Sequence, residues 1–270
     1  MKPLSRIVAG GMLREGTPIQ DYRTEYGLYV KREDLSCPPP GPPFSKARGV
    51  YVWVKKRPEN LIGVLDTRHS QAGHAVARAC QLLGKQCVNY YPEFKYEPGP
   101  REPQLRAKEL GAELAPLPAG RSAILYHTAR KLTEARNGVM IPNALKLAES
   151  VVETSKETTL GERGFETVLI PISSGTIAAG VIRGLGTAPN YIIHLGYSRS
   201  HGEIRKYITD AAGIEARLTL IDEGYEYKDV AEDGPTPPWP CNPYYDLKAF
   251  RWWMKEGRKT YGSALLWNIG

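Results

Sequence analysis

The stretch that decides the fold is residues 167–185, TVLIPISSGTIAAGVIRGL. The apolar run TVLIPI predicts a buried strand, and TIAAGVIRGL predicts a helix that follows it after a short turn of small polar residues. Such a turn leaves the backbone N–H groups of residues 173–177 at the positive end of a helix, which suits a phosphate group. The alternative is a helix cap with no ligand. No Gly-Lys-Ser/Thr follows the turn, so it is not an ATP-binding P-loop.

The same alternation of strand and helix continues along most of the chain. Apolar runs predict strands at 60–66, 86–91, 112–117, 138–143, 167–172, 191–197 and 216–222. Amphipathic stretches predict helices at 72–84, 103–111, 122–136, 145–158, 177–185 and 201–212. Strict alternation predicts an α/β fold with parallel sheets that are covered on both faces. Two long loops, 92–103 and 222–243, are typical of lids or binding segments.

Composition excludes several classes of protein. The chain has 270 residues, of which 41% are hydrophobic and 24% charged, and no apolar run approaches the roughly 18 residues that span a bilayer. The N-terminal segment lacks the apolar core of a secretory signal, so we expect a cytoplasmic protein without membrane association. The four cysteines form no CxxC pair and the five histidines form no ligand motif, so we expect no metal site. A net charge of +7 favours anionic partners, with nucleic acid among them.

A second stretch, KREDLSCPPPGPPFSKARG (31–49), raises the question of what Lys46 does. The prolines exclude a helix before it, so the lysine is presented from a stiffened loop. A second strand-turn-helix unit, LDTRHSQAGHAVA (65–77), has Ser70 as a plausible cap and free N–H groups that suit a carboxylate. A lysine with a lowered pKa, a phosphate site and a carboxylate site are together what Schiff-base chemistry requires.

Short motifs in register resemble one enzyme family. TPI (17–19), KRED (31–34), FSKARG (44–49), HSQAGHAVARACQLLG (69–84) and PISSGTIAAG (171–180) resemble motifs of fold type II pyridoxal-phosphate (PLP) enzymes, the tryptophan synthase β-like group. The tail, NPYYDLKAFRWWMKEG and SALLWNIG, is similar to the 1-aminocyclopropane-1-carboxylate (ACC) deaminase and D-cysteine desulfhydrase branch, and the pattern also resembles threonine synthases. The resemblance implies the cofactor pyridoxal 5'-phosphate.

The resemblance also implies roles for individual residues. Lys46 would form the internal aldimine and then move the proton at the substrate Cα, and Gln71 would lie against the pyridine ring. The phosphate turn, which would hold the cofactor phosphate, comprises Ser173, Ser174, Gly175 and Thr176. The carboxylate loop, which would face the substrate carboxylate, comprises Arg68, His69, Ser70, Gln71 and Ala72. Tyr244 or Tyr245 would be the active-site tyrosine, and Asn268 and Ile269 would lie near the pyridine nitrogen.

Three departures from the family pattern bear on the reaction. Gln71 replaces an asparagine, the carboxylate loop lacks the usual Gly-Asn pair, and Ile269 replaces a residue that bonds the pyridine nitrogen. The bond that breaks at Cα is the one held perpendicular to the cofactor ring. A loop that fixes the carboxylate in the ring plane favours loss of the α-proton, whereas a looser loop permits decarboxylation.

Three hypotheses for function follow. The first is a lyase or deaminase that acts on a small free amino acid, by deamination or elimination. The alternative is a PLP decarboxylase or lyase that acts on an amino-acid group attached to nucleic acid, as in DNA base modification. The third is a non-catalytic PLP-binding protein. We expect a small domain at 50–143 inserted into a larger one built from 1–49 and 144–270, a cofactor cleft between them, and a plausible homodimer.

Overall fold

A computed structural model describes residues 7–8, 13–159 and 164–270. Its strands are β1 (Ile7–Val8), β2 (Leu13–Arg14), β3 (Ile19–Tyr22), β4 (Leu28–Arg32), β5 (Leu61–Leu65), β6 (Gln86–Glu93), β7 (Glu113–Pro118), β8 (Val139–Met140), β9 (Thr167–Ile172), β10 (Asn190–Leu195), β11 (Leu218–Ile221) and β12 (Ala264–Asn268). Its α-helices are α1 (Arg23–Tyr26), α2 (Ala47–Lys55), α3 (Ala72–Leu83), α4 (Glu102–Glu109), α5 (Ser122–Glu134), α6 (Ala148–Lys156), α7 (Thr176–Leu185), α8 (His201–Ala212), α9 (Asp246–Trp252) and α10 (Arg258–Tyr261). Short 3-10 helices lie at Glu33–Leu35, Asn143–Leu145 and Glu157–Thr159, and a π-helical turn lies at Trp253–Gly257.

The chain divides into two compact units. The larger unit comprises Met1–Pro38, Pro43–Ser45 and Ser150–Gly270, and the smaller unit comprises Pro39–Pro42 and Lys46–Glu149. The division places Lys46 at the start of the long segment of the smaller unit. The domain limits at 50–143 that the sequence suggests stay a prediction.

The larger unit is built on a six-stranded sheet in the order β11-β10-β9-β12-β4-β3. Neighbouring strands are parallel except for β3 and β4, which pair antiparallel at one edge. Every residue of β9 and of β12 is buried, as expected for central strands of a parallel sheet that is covered on both faces. Because β9 is central, the turn after it opens at the carboxyl edge of this sheet, where α/β proteins bind ligands.

The smaller unit is built on a four-stranded parallel sheet in the order β7-β6-β5-β8. Helix α3 packs against α2 and α4, while α5 packs against β5 and β8. The core of this unit consists of apolar residues from the strands and α5: Leu61, Leu65, Val88, Tyr90, Leu117, Leu125, Ala129 and Met140. Loops that follow the four strands therefore share one edge of the sheet.

The predicted fold class, α/β with parallel sheets, is confirmed. Helix α8 coincides with the predicted 201–212, and α3, α4, α5 and α7 lie within two residues of their predicted limits. In the described part of the chain, no helix is long and apolar enough to cross a membrane. The N-terminal segment, for which we predict no secretory signal, lies largely outside the described residues.

Candidate active site

The phosphate turn joins the buried strand β9 to helix α7. Gly175 is the N-cap of α7 and has a φ of 87°, a left-handed conformation that glycine adopts without strain. The N–H groups of the first turn of a helix have no backbone acceptor within the helix. Thr176 N donates to Ser174 Oγ over a long distance of 3.5 Å, as Ala72 N does to Ser70 Oγ at 3.0 Å in the turn after β5. Ser174 Oγ lies 2.9 Å from Thr176 Oγ1, and both side chains are buried. The turn thus combines hydroxyl groups with outward N–H groups.

Three further side chains surround the phosphate turn. The hydroxyl of Tyr207, on α8, lies 3.0 Å from Thr176 Oγ1. Arg199 Nη1 donates to the carbonyl oxygen of Ser173 and also to the hydroxyl of Tyr197 at 3.0 Å. Arg199 and Tyr207 are not among the residues that the sequence pattern suggests. They could have been found only from their place in the fold, because both follow β10, the strand beside β9, at the same edge of the sheet.

The space beside Gly175 is narrow. A Cβ at this position would lie 3.0 Å from Ile208 Cγ1 and 3.3 Å from Tyr207 Cδ1. A side chain at this position is therefore disfavoured, because its Cβ contacts would be tight and the left-handed backbone conformation would be strained. A bare backbone next to a cationic side chain, Arg199, is the arrangement that a phosphate dianion requires.

Lys46 is a buried amine at the start of α2. Its Nζ donates to the carbonyl oxygen of Ala144 at 2.9 Å, and 8% of the residue is exposed. Burial, and secondarily the charge of Lys146, lower the pKa of Lys46 to about 7. At neutral pH a large fraction of this amine is uncharged, which is the nucleophilic form.

The residue that accepts the Lys46 hydrogen bond and the residue after it have unusual backbone angles. Ala144 has a φ of 55° and Leu145 a φ of 49°, and neither is a glycine. Such conformations cost about 1 kcal/mol or more each and persist where the surrounding structure holds them. The strain thus coincides with the carbonyl group that positions the Lys46 amine.

The carboxylate loop follows β5 and is closed by a buried aspartate. Asp66 Oδ1 accepts from Thr67 N at 2.9 Å, and Asp66 Oδ2 accepts from Gln104 Nε2 at 2.9 Å. Ser70 Oγ accepts from Ala72 N at 3.0 Å. Burial raises the pKa of Asp66 to about 6, against the lowering effect of its hydrogen bonds. Several donors of this turn are therefore already used by the protein itself.

Gln71 and Arg68 have protein partners as well. Gln71 Oε1 lies 3.3 Å from His74 Nδ1, while His74 Nε2 lies 2.8 Å from the carbonyl oxygen of Pro40. The Nε2 group of Gln71 has no hydrogen-bond partner among the described residues, so it is the end that can donate to a ligand. Arg68 forms an ion pair with Glu97.

The end of β12 carries a buried polar network. Asn268 Nδ2 donates to Asp34 Oδ1 at 2.9 Å and to the carbonyl oxygen of Pro240 at 3.0 Å. The backbone N–H of Ile269 donates to Asp246 Oδ1 at 2.7 Å. Asp246 Oδ2 is buried and has no hydrogen-bond partner within the described residues. Burial raises the pKa of Asp246 to about 7, despite the hydrogen bond from Ile269 N.

Asp246 is the main residue that the sequence reasoning missed. It lies next to Tyr245, in the motif that carries the candidate tyrosines. Burial of Oδ2 without a hydrogen-bond partner costs free energy unless a donor or a cation binds to it. The Asp246 carboxyl group is therefore a polar acceptor bonded to the backbone of Ile269, whose own side chain has none.

The two candidate tyrosines differ in burial. Tyr245 is buried, and hydrogen bonds with Ser173 and Tyr227 involve its hydroxyl group. A Cβ on Gly196 would lie 2.4 Å from Tyr245 Cδ1, so the glycine makes room for this ring. Tyr244 is only half-buried. Of the pair, the structure places Tyr245 at the phosphate turn.

Metal chemistry has no candidate site in the described part of the chain, because no group of three or more His, Cys, Asp or Glu residues there could hold an ion. All four cysteines lie within the described residues, and none of them forms a disulfide bond.

Comparison with known proteins identifies the family. Residues 12–224 match the family profile described as "Pyridoxal-phosphate dependent enzyme". A protein of Pseudomonas phage M6 named "Glycyl-dTMP PLP-dependent decarboxylase" is 48% identical over 280 residues, which cover 96% of this chain and 100% of that protein.

Two solved structures show the same fold. A crystal structure of an ACC deaminase homologue matches with a TM-score of 0.81 at 18% identity, over 99% of this chain and 92% of that one. A fungal L-serine ammonia-lyase from Rhizomucor miehei matches with a TM-score of 0.67 at 16% identity, over 96% and 94% of the two chains. The predicted resemblance is confirmed, and the chain belongs to the family of pyridoxal-phosphate dependent enzymes, with pyridoxal phosphate as its cofactor.

Proposed function

We propose that this enzyme is a decarboxylase that acts on an amino-acid group attached to a thymine nucleotide. The observation that carries the proposal is the 48% identity, along 96% of this chain and the whole of the other, to the phage M6 protein named as a glycyl-dTMP decarboxylase. This proposal corresponds to the alternative that the sequence left open, rather than to the deaminase that we placed first.

The reaction breaks the bond between Cα and the carboxylate carbon. The bound cofactor supplies a conjugated ring that accepts the electron pair of that bond while CO₂ leaves. A proton is then added at Cα, so the product is the corresponding amine. The Lys46 amine, with its pKa lowered to about 7 by burial, is the group that we propose to hold and deliver this proton.

The residues of the larger unit fit the cofactor. We propose that the phosphate turn and Arg199 bind its phosphate group. The orphan Oδ2 of Asp246 is proposed to bond the pyridine nitrogen, since a protonated ring nitrogen would complete that buried oxygen. Asn268 donates to Asp34 at the end of β12, and we propose that this hydrogen bond fixes the backbone next to Ile269, whose N–H group donates to Asp246.

The carboxylate loop supports loss of the carboxylate. Asp66 and Ser70 already occupy the N–H groups of Thr67 and Ala72. Fewer donors then remain to fix a substrate carboxylate in the plane of the ring. In addition, the Asp66 carboxylate, when ionised, repels a second carboxylate nearby. Both effects favour a carboxylate that turns out of the ring plane, where its bond to Cα can break.

Deamination of a free amino acid stays a prediction. The structures named as an ACC deaminase homologue and an L-serine ammonia-lyase are only 18% and 16% identical to this chain, so they support the fold alone. The decisive test offers the holoenzyme two substrates in parallel: a synthetic oligonucleotide with a glycyl-modified thymine, and a panel of free amino acids. We expect CO₂ from the oligonucleotide and no ammonia from the panel. Ammonia from the panel together with an unchanged oligonucleotide would contradict the proposal.

The role of Asp246 has a test that does not depend on turnover. Wild-type protein should bind PLP more tightly than an analogue with carbon in place of the ring nitrogen. In Asp246→Asn, Oδ1 can still accept from Ile269 N, but the charge is lost, so the preference for PLP should shrink by about tenfold. An unchanged preference would mean that the carboxylate does not contact the ring nitrogen.

A further inference from the structure

The net positive charge of the chain lies in one of its two units. The smaller unit contains 17 lysines and arginines against 9 aspartates and glutamates, whereas the rest of the chain contains 19 against 20. The smaller unit therefore carries an excess of eight positive charges, and the larger unit an excess of one negative charge. A unit with such an excess attracts polyanions along its surface.

Basic side chains follow the strands at the carboxyl edge of the smaller sheet. They are Arg68 after β5, Lys95 and Arg101 after β6, Arg121 after β7, and Lys146 after β8. The Lys46 amine lies at the same edge, because it donates to the carbonyl oxygen of Ala144 just beyond β8. The positive edge is thus also the edge that presents the reactive lysine.

Two exposed aromatic rings lie in the loop after β6. Tyr96 is 87% exposed and Phe94 is 38% exposed, and in the described part of the chain they are the only aromatic rings among the exposed large apolar side chains. Lys95 Nζ lies 5.5 Å from the centroid of the Tyr96 ring, and the Arg68 guanidinium lies 5.4 Å from that of Phe94. Aromatic rings beside cations are the arrangement that binds bases and phosphates together.

Acidic residues at this edge do not cancel the positive charge. Glu97 forms ion pairs with both Arg68 and Arg101, so one carboxylate faces two guanidinium groups. Glu93 Oε1 accepts from Gly99 N at 3.4 Å and thereby shapes the loop. Arg121 and Lys95 are exposed and form no ion pair among the described residues.

We infer that this edge surface, formed by Arg68, Phe94, Lys95, Tyr96, Arg101 and Arg121, binds duplex DNA. The basic side chains contact phosphates, and the two rings contact bases. The inference rests on the proposed function, because it takes the modified thymine nucleotide to be part of a DNA duplex. A base that undergoes chemistry has to leave the duplex stack, and an exposed ring at the same edge of the sheet as the reactive lysine can stack against the bases that remain.

The test compares two double variants that remove the same charge. Lys95→Ala with Arg121→Ala removes two exposed cations from the edge surface, and Lys255→Ala with Lys259→Ala removes two exposed cations from the larger unit. Binding of holoenzyme to a fluorescent duplex is measured by anisotropy at low and moderate salt. We expect the edge variant to bind roughly tenfold more weakly, with a salt slope smaller by about two, and the control to match wild type. Equal losses in both variants would overturn the inference.

A third variant tests the aromatic contribution. Tyr96→Ala should weaken duplex binding about tenfold without changing the salt slope, and Tyr96→Trp should retain binding, because stacking needs a ring and no charge. Unchanged binding by Tyr96→Ala would remove the ring from the surface. Displacement of the duplex by poly-glutamate as readily as by unlabelled duplex would show a general polyanion surface and would overturn the assignment to DNA.

The fate of the proposed function is read separately. Release of CO₂ from a glycyl-modified thymidine monophosphate reports the chemistry without the polymer. Loss of turnover on DNA with retained turnover on the monomer, in the edge variant alone, supports the surface. A wild type that binds duplex but releases CO₂ from neither substrate contradicts the proposed function and leaves the surface standing. A wild type that turns over the monomer but does not bind duplex contradicts the surface alone.

Discussion

The turns after β5 and β9 both join a strand to a helix, but the side chains bonded to them carry opposite charge. In the smaller unit, the turn after β5 is occupied by the protein's own Asp66 carboxylate, which accepts from Thr67 N. In the larger unit, the turn after β9 is lined by the hydroxyl groups of Ser174 and Thr176 and by the Arg199 guanidinium. One turn thus carries a carboxylate of the protein, and the other carries hydroxyl groups and a guanidinium, so the second is the better candidate for an outside anion.

This difference separates the tasks of the two units. The larger unit has the proposed site for the cofactor phosphate and, in Asp246, a buried carboxyl oxygen with no hydrogen-bond partner among the described residues. The smaller unit has the Lys46 amine and a turn in which the N–H groups of Thr67 and Ala72 donate to Asp66 and Ser70. Substitutions in the larger unit should therefore affect the binding of the cofactor, and substitutions in the smaller unit should affect the chemistry at Cα.

The largest effect is expected at Lys46. Lys46→Ala should lower the rate of CO₂ release by at least about a thousandfold, because both the nucleophile and the proton carrier are lost. In wild type, borohydride should fix the cofactor covalently to Lys46, which peptide mass spectrometry would locate. Lys56→Ala, which removes an exposed lysine of the same unit, is the control and should behave as wild type. Cofactor fixed at another lysine would refute the assignment.

The sequence predicts much of this architecture because its signals are local. The motif around Lys46, the phosphate turn and helix α8 each show in a short window of apolar periodicity and turn residues. Strand β4 is harder to recognise, because it contains Lys31 and Arg32 in a buried position. Lys31 is buried because Glu157, which is distant in the sequence, lies 2.9 Å from its amine. The sequence pattern shows only a charged residue, because its partner in the ion pair lies far away along the chain.

The candidate site was less predictable for the same reason. Asp246 matters because its second oxygen is buried without a partner, which no spacing of residues reveals. Arg199 and Tyr207 reach the phosphate turn from a neighbouring strand and helix, so only the order of strands in the sheet brings them there. Contacts between distant segments are thus the part of the site that needs the structure.

The second prediction concerns the internal anion, Asp66. Its pKa is raised from 3.8 to about 6 in the folded protein, so between about pH 4 and pH 6 the folded state holds a proton that the unfolded state has released. The contribution of Asp66 to stability is therefore fully present below about pH 4 and is lost as the pH rises to about 6, which lowers the free energy of unfolding by about 3 kcal/mol.

Asp66→Asn should remove this part of the pH dependence. Urea unfolding of the apoprotein at pH 4 and pH 7 measures it, and wild type should lose about 3 kcal/mol more than the variant between these values. Asp246→Asn serves as a comparison, since the pKa of Asp246 is about 7 and its effect extends to higher pH. The same pH dependence in wild type and Asp66→Asn would mean that Asp66 does not bind a proton on folding.

The third prediction concerns the open turn. Gly175→Asp places a carboxylate next to the proposed phosphate, while Gly175→Asn adds the same bulk without charge. PLP affinity should be about 2 kcal/mol lower for Asp than for Asn, by repulsion in a partly buried site. Ser70→Asp and Ser70→Asn place the same pair in the turn after β5, where the difference should be much smaller. Equal differences at both turns would remove the distinction between them.

The smallest effect is expected at Ala144, where the smaller unit holds the Lys46 amine. Ala144 has a φ of 55°, a conformation that costs alanine about 1 kcal/mol and glycine almost nothing. Ala144→Gly should therefore raise the free energy of unfolding of the apoprotein by about 0.5 to 1 kcal/mol, although glycine also has more freedom in the unfolded chain. Asn137 has a φ of 57° and lies away from the Lys46 hydrogen bond, and asparagine tolerates this region, so Asn137→Gly should change stability less. If Ala144→Gly destabilises the protein, the Lys46 amine is held by a relaxed backbone, and the strain at this edge has no part in positioning it.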